Sequence, residues 1–204
     1  MSVEKGGTNY AFVRAFGTND QELPLIVAHY DDTQVYVNGS GSPITTLSAG
    51  EFITINGSNY VNNVMYVTTS EPAFAYQVIS GGTGPARAGM NFVPDISCQI
   101  ENNIDAIIDV NKIGNDSFTG GLSITTEAGS QVWINDNLEM STPETITFPN
   151  GNSYDVYRIL GLTGDQHIES NSMAVVSYFG TSGVAGYAGY FADTPKNRTV
   201  GLIR

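Results

Sequence analysis

The sequence predicts an all-β protein made of two tandem, diverged repeats, each a β-sandwich or jelly-roll-like unit with mostly antiparallel strands. Three observations carry this reading. Apolar residues recur with a period of two, Asn-Gly pairs punctuate the strands, and one segment of the first half returns in the second.

The repeat is clearest at Thr33-Gln34-Val35-Tyr36-Val37-Asn38-Gly39, which comes back as Ser130-Gln131-Val132-Trp133-Ile134-Asn135-Asp136. An offset of about 97 residues also sets Val13 on Val110, Phe16 on Ile113, Gly17 on Gly114, Asn19 on Asp116 and Leu25 on Leu122. Farther along, Ser70-Glu71-Pro72-Ala73-Phe74-Ala75-Tyr76-Gln77-Val78 faces Ser170-Asn171-Ser172-Met173-Ala174-Val175-Val176-Ser177-Tyr178. The shift has grown by a few residues there, which places the insertion in a loop. Gly89-Met90-Asn91-Phe92-Val93-Pro94 faces Ala188-Gly189-Tyr190-Phe191-Ala192-Asp193, so each copy closes on small residues and an aromatic. The units are expected at 8–97 and 106–194, with 98–105 as the connection and 195–204 as a polar tail.

Within the copies the strands follow from alternation. Val35 and Val37 alternate with Gln34, Tyr36 and Asn38; Phe52 to Ile55 sets Ile53 and Ile55 on one side; Ile146 and Phe148 alternate with Thr145 and Thr147. Asn38-Gly39, Asn56-Gly57 and Asn150-Gly151 supply the positive-φ residues of tight hairpins, so pairing is expected to be local and antiparallel. Ile104 to Val110 comes nearest to a helical stripe, but it is short and rich in Ile and Asp and reads equally as extended. Low helix content follows. The first strand of copy one and the aromatic closing segment of copy two are placed to meet, with pairing or swapping between copies as the consequence.

Composition narrows the function classes. Charged residues make up 14% against 41% hydrophobic, so Asn, Ser, Thr and Gly must supply the polar surface. A net charge of −12 with only 8 Lys and Arg excludes nucleic acid as a partner and disfavours anionic membranes. Cys98 is the sole cysteine, so an intrachain disulfide and a cysteine-rich zinc site are excluded, and a small buried hydrophobe is expected there. No apolar run is long enough to insert in a bilayer, and no start reads as a signal peptide. The Met1-Ser2-Val3 start fits an excised domain whose targeting signal lies elsewhere.

Four stretches carry a family resemblance: Asp32 to Gly39, Thr69 to Tyr76, Met90 to Pro94 with Ser97-Cys98, and Val176 to Gly180. They resemble the IgGFc-binding protein N-terminal domain family, and more closely its bacterial members in large surface or secreted proteins of gliding bacteria. The resemblance runs from about Asn9 to Asp193. It implies an extracellular adhesion or binding module within a longer protein, with an unknown protein or glycan as ligand. Its name comes from an animal member, so antibody binding is not implied, and it brings no catalytic residues to carry over.

Candidate sites are few. Asp31-Asp32, beside His29 and Tyr30, offers carboxylates to a calcium ion, or simply forms a turn; copy two has Ala128-Gly129 there. Trp133 and its counterpart Tyr36 lie on the strand face opposite the buried valines and isoleucine, where an aromatic stacks on a sugar ring, anchors a protein partner, or is covered by a second sheet. No Gly-x-Ser-x-Gly elbow or histidine motif speaks for a hydrolase, so an enzyme, carbohydrate-active or other, is the least favoured class. A self-associating structural subunit, such as a spacer, filament or virion component, is the main alternative to a binding module.

Overall fold

The computed structural model describes residues 6–80, 89–97, 103–183 and 185–191; among them every regular element is a strand except one 3-10 turn at Gly57–Asn59. Strand formation follows the alternation of the sequence: in Thr33–Val37 residues 33, 35 and 37 are buried and 34 and 36 half-buried.

In the first half, β1 (Gly7–Val13), β2 (Pro24–Ala28), β3 (Thr33–Val37), β4 (Thr45–Leu47), β5 (Phe52–Thr54) and β7 (Gly89–Val93) assemble on the long β6 (Val64–Ile79). The start of β6 pairs antiparallel with β1 and β3, placing Val64 opposite Val13 and Val67 opposite Val37. Its end pairs antiparallel with β2 and β7, placing Ala75 between Ile26 and Val93. Two layers result, β4-β3-β6-β1 and β5-β2-β6-β7, and β6 belongs to both. The crossing falls at exposed Ser70 and Glu71 and at Pro72, which has no N–H to give to a ladder. Tyr10, Phe12, Val35 and Met65 of one layer and Ile26, Ala75 and Val93 of the other then form one buried cluster, as facing sheets of a sandwich do.

The second half repeats this order. Its strands are β8 (Asn103–Ile107), a small β9 (Lys112–Ile113) and β10 (Asp116–Ser117) hairpin, β11 (Thr119–Glu127), β12 (Val132–Ile134), β13 (Asn137–Leu138), β14 (Glu144–Thr147), β15 (Ser153–Leu162), β16 (Gln166–Ser170), β17 (Ala174–Ser182) and β18 (Ala185–Phe191). The layer β13-β12-β16-β8 reproduces β4-β3-β6-β1, and β15-β11-β17-β18 reproduces β5-β2-β6-β7, with β14 added beyond β15. Where β6 runs through, β16 and β17 are separated by Asn171-Ser172-Met173. The corners match in dihedral too: φ is 49° at both Asn38 and Asn135, and positive at Gly39 (70°) and Asp136 (62°).

Several details differ from the sequence reading. Ile26 and Ile124, both fully buried, occupy the same place opposite Ala75 and Val176, so the pairing of Leu25 with Leu122 is one residue out of register. Ser70 corresponds to Asn171 rather than Ser170, since Gln34 N–H donates to Ser70 Oγ and Gln131 N–H to Asn171 Oδ1, each at 2.9 Å. Asn56-Gly57 is no hairpin corner: Asn56 has φ −64° and its side chain caps the 3-10 turn by accepting from Ser58 N–H. Of the stretch Ile104 to Val110, Ile104 to Ile107 takes the extended alternative that the sequence left open, as part of β8, which begins inside the stretch expected to be the connection. Cys98 and the 195–204 tail lie outside the described residues.

The halves share buried surface. Val13, Val64 and Ile96 cluster with Ile146, Phe148 and Val156, and Ala15 and Ile79 with Phe179. Instead of β1 meeting the closing segment of the second half, the two closing strands, β7 and β18, pack on each other, with the Phe92 and Tyr190 rings 5.1 Å apart.

Candidate binding surface

The four residues singled out in the sequence fall in three places. Asp31 and Asp32 form the turn between β2 and β3: Asp31 Oδ1 accepts the Ala49 N–H at 2.8 Å, and Asp32 takes the left-handed conformation with φ 59°. The matching residue of the second half, Gly129, has φ 83°, so position 32 is a left-handed corner that Asp tolerates and Gly prefers. Among the described residues no group of three or more His, Cys, Asp and Glu gathers in a metal-binding arrangement. Trp133 is half-buried on β12, opposite Leu138 and Glu169. Tyr36 is half-buried on β3 and, unlike Trp133, lines a cleft at the junction of the halves.

That cleft, about 510 Å³, has walls from both halves, with Tyr36, Thr68 and Asn9 on one side and Pro149 and Asn150 on the other. A second cleft, about 520 Å³, follows the seam between the closing strands. Tyr76, Phe92, Tyr178, Tyr190 and Met90 line it; Tyr76 and Phe92 meet edge to face at 5.5 Å, and Met90 is 62% exposed. Pairing laid these aromatics side by side, because Tyr76 stands opposite Phe92 on β7 and β18 brings Tyr190 alongside. A small cavity of about 20 Å³, lined in part by Gln77, Asn91, Thr125 and Ser177, shares Asn91 and Ala188 with the seam cleft. That is room for a single water and no larger ligand, although it holds buried Asn91 Oδ1, which has no protein partner.

A buried polar cluster escaped the sequence reading. Glu22, fully buried, accepts the N–H groups of Ala15, Phe16 and Gly17 at 2.5, 2.8 and 2.6 Å. Burial raises its pKa, and the three N–H donors and Arg14 pull it back only in part. Arg14 stacks its guanidinium 4.8 Å from the Tyr60 ring centre. Tyr60 is held well above the usual phenol range by burial first and the Glu22 charge second. From the second half, Arg158 donates Nε–H to the Arg14 carbonyl at 2.5 Å and Nη2–H to the Ala15 carbonyl. Glu22 thus shapes the loop from inside while Arg158 grips it from outside. No motif announces this cluster: Glu22 closes the polar run Thr18-Asn19-Asp20-Gln21, where it reads as one more solvated turn residue.

No helix among the described residues is long and apolar enough to cross a membrane. A family model described as IgGFc binding protein matches residues 1–180, covering the first half and the second half into β17. No curated protein and no solved structure matches the chain.

Proposed function

The chain belongs to the IgGFc-binding protein family, and we propose from this that it is a non-catalytic binding or adhesion module of a larger secreted or cell-surface protein. The observation that carries the reading is the seam cleft, where Tyr76, Phe92, Tyr178, Tyr190 and Met90 line a groove shared by the two halves. Tyr, Phe and Met are enriched and acidic residues depleted in protein-binding patches, and this groove has no charged residue along it in a chain of net charge −12. The partner is an extracellular protein. The family's description names IgG Fc, which is the first protein to try.

The division into two units, expected at 8–97 and 106–194, is part of the proposal with β8 opening the second at Asn103, and both units are needed because the groove takes residues from each. Tyr36, in the other cleft, and Trp133, on β12, are proposed as secondary contact residues outside the groove. Calcium at Asp31 and Asp32 is the one metal site proposed, its remaining oxygens coming from backbone carbonyls and water. A second copy of the chain is the competing occupant of the seam, as the structural-subunit reading requires.

The test is binding of the purified chain to an array of extracellular proteins that includes IgG Fc, with light scattering at the same concentrations. Saturable binding by a monomer that Met90→Glu abolishes supports the module. Ordered self-assembly with no protein ligand replaces it by the structural subunit.

A further inference from the structure

The Tyr36 cleft is built differently from the seam. Asn9 stands opposite Thr68, and Thr68 opposite Tyr36, so the three side chains form a row across β1, β6 and β3 on the outer face of the first half. Each is half-buried. Tyr36 Oη–H donates to Gln34 Oε1 at 2.6 Å, which fixes the ring as a flat wall. The facing wall is the tip of the β14–β15 hairpin. Phe148, 2% exposed, plugs between the Tyr66 and Tyr154 rings at 5.2 and 5.8 Å and so sets Pro149 and Asn150 opposite the row. Asn150 Oδ1 accepts the Asn152 N–H at 3.0 Å, which orients its amide.

Two features decide the ligand class. No lining residue carries a charged side chain, so the cleft offers no partner to a phosphate, a carboxylate or an ammonium group. The backbone is also spoken for: Asp95 Oδ2 accepts the N–H groups of Thr8 and Asn9 at 2.7 and 2.8 Å, and the Asn9 carbonyl accepts Ile96 N–H at 2.9 Å. β3 is flanked by β4 and β6. An extended peptide therefore finds no ladder to join. What remains is one rigid aromatic face with amide and hydroxyl groups around it, able to donate and to accept. Those are the demands of a polyol ring with an apolar face.

The geometry points to a neutral saccharide held in this cleft, its ring against Tyr36 and its hydroxyls on Asn9, Thr68 and Asn150. This rests on the binding-module reading and adds a second ligand class to it. The second half carries the related row Asn103, Glu169 and Trp133, with a carboxylate in place of the Thr68 hydroxyl. A charge in the middle of the row makes that face a different one.

The test uses the whole chain on an array of uncharged oligosaccharides, acidic oligosaccharides and peptides, followed by titration of hits against amide resonances. Saturable binding of an uncharged oligosaccharide is expected, with shifts at Asn9, Thr68 and Asn150, about tenfold weaker for Tyr36→Ala. Asn150→Ala, at an exposed turn, weakens it several-fold while lowering the melting temperature only slightly through the lost Asn152 N–H bond, which keeps the result readable should Tyr36→Ala unfold. Binding confined to acidic sugars or peptides, equal binding by Asn150→Ala, or no binding overturns the inference. Protein binding at the seam, read with Met90→Glu, is scored separately: a seam ligand without a saccharide leaves the module standing and removes the cleft.

Discussion

Asn38 and Asn135 make the same pair of bonds in the two halves. Asn38 donates its N–H to the Tyr66 carbonyl at 2.9 Å and accepts the Tyr66 N–H on Oδ1 at 3.1 Å; Asn135 does both with His167, at 2.9 and 2.8 Å. Each corner thereby holds its hairpin onto the next strand of its layer. Replacing Asn38 by Ala removes the short polar side chain that lets this position tolerate φ 49° and orphans the Tyr66 N–H, and about 1–3 kcal/mol of stability is expected to go. Asn38→Gly keeps the backbone conformation and loses less. Denaturant melts of the two variants check this: Gly as costly as Ala contradicts the backbone argument, and an Asn38→Gly as stable as the parent means that the side-chain bond carries nothing.

Asp32 predicts the opposite sign. Since Gly129 fills the same left-handed corner in the second half, Asp32→Gly is expected to hold or raise stability by up to about 1 kcal/mol, whereas Asp31→Ala loses the acceptor of the Ala49 N–H and lowers it. The same melts, run with calcium and with chelator, decide the metal. A calcium shift that vanishes when both residues are replaced supports the site, and no shift in the parent removes it.

Arg158 predicts coupling between the halves. Its two donors end on adjacent carbonyls, Arg14 and Ala15, a fork that a lysine ammonium does not reproduce. Arg158→Lys and Arg158→Ala are each expected to lower stability, by about 1–3 kcal/mol for Ala, and to speed proteolysis. Unchanged melting in both would mean that the shared cluster of Val13, Ile96, Phe148 and Val156 suffices to hold the halves.

Glu22 predicts a pH slope. Its folded pKa lies above the ordinary value of 4.5, so the folded state binds a proton more tightly than the unfolded chain. The stability this supplies is fully present below the unfolded pKa and is lost as pH rises through the folded one. Parent stability should therefore carry a falling component upward from about pH 4.5, and Glu22→Gln should remove it. Gln also turns a donor toward the Ala15 N–H, so the variant is expected to be less stable at neutral pH. A slope that persists in Glu22→Gln assigns it to another group.

How much of this was legible depends on distance along the chain. Local pattern was enough for the Asn38 corner and the buried Val35 and Val37, because period two and turn chemistry act over a few residues, and the repeat carried the corner over to Asn135; the strand order needed the structure. Register was harder: a one-residue slip between Leu25 and Leu122 leaves an apolar match intact while turning the strand over, and only the partners Ala75 and Val176 reveal it. The candidate surfaces were legible only in part. Tyr36 could be named from its strand face, but its cleft needs Pro149 and Asn150 from the other half, and the seam needs β7 against β18. Glu22 and Arg158 act through backbone groups, which have no sequence signature.

Binding at the seam tests the central claim most directly. Surface plasmon resonance of the parent and Met90→Glu against the proteins captured on the extracellular array is the measurement. Met90 is exposed, so the charge leaves the fold intact while placing a carboxylate in an apolar groove, and melting curves verify this. The account predicts saturable binding by the parent and a loss of at least about tenfold in the variant at equal stability. Absence of any saturable protein ligand, or equal affinity in the two, contradicts it.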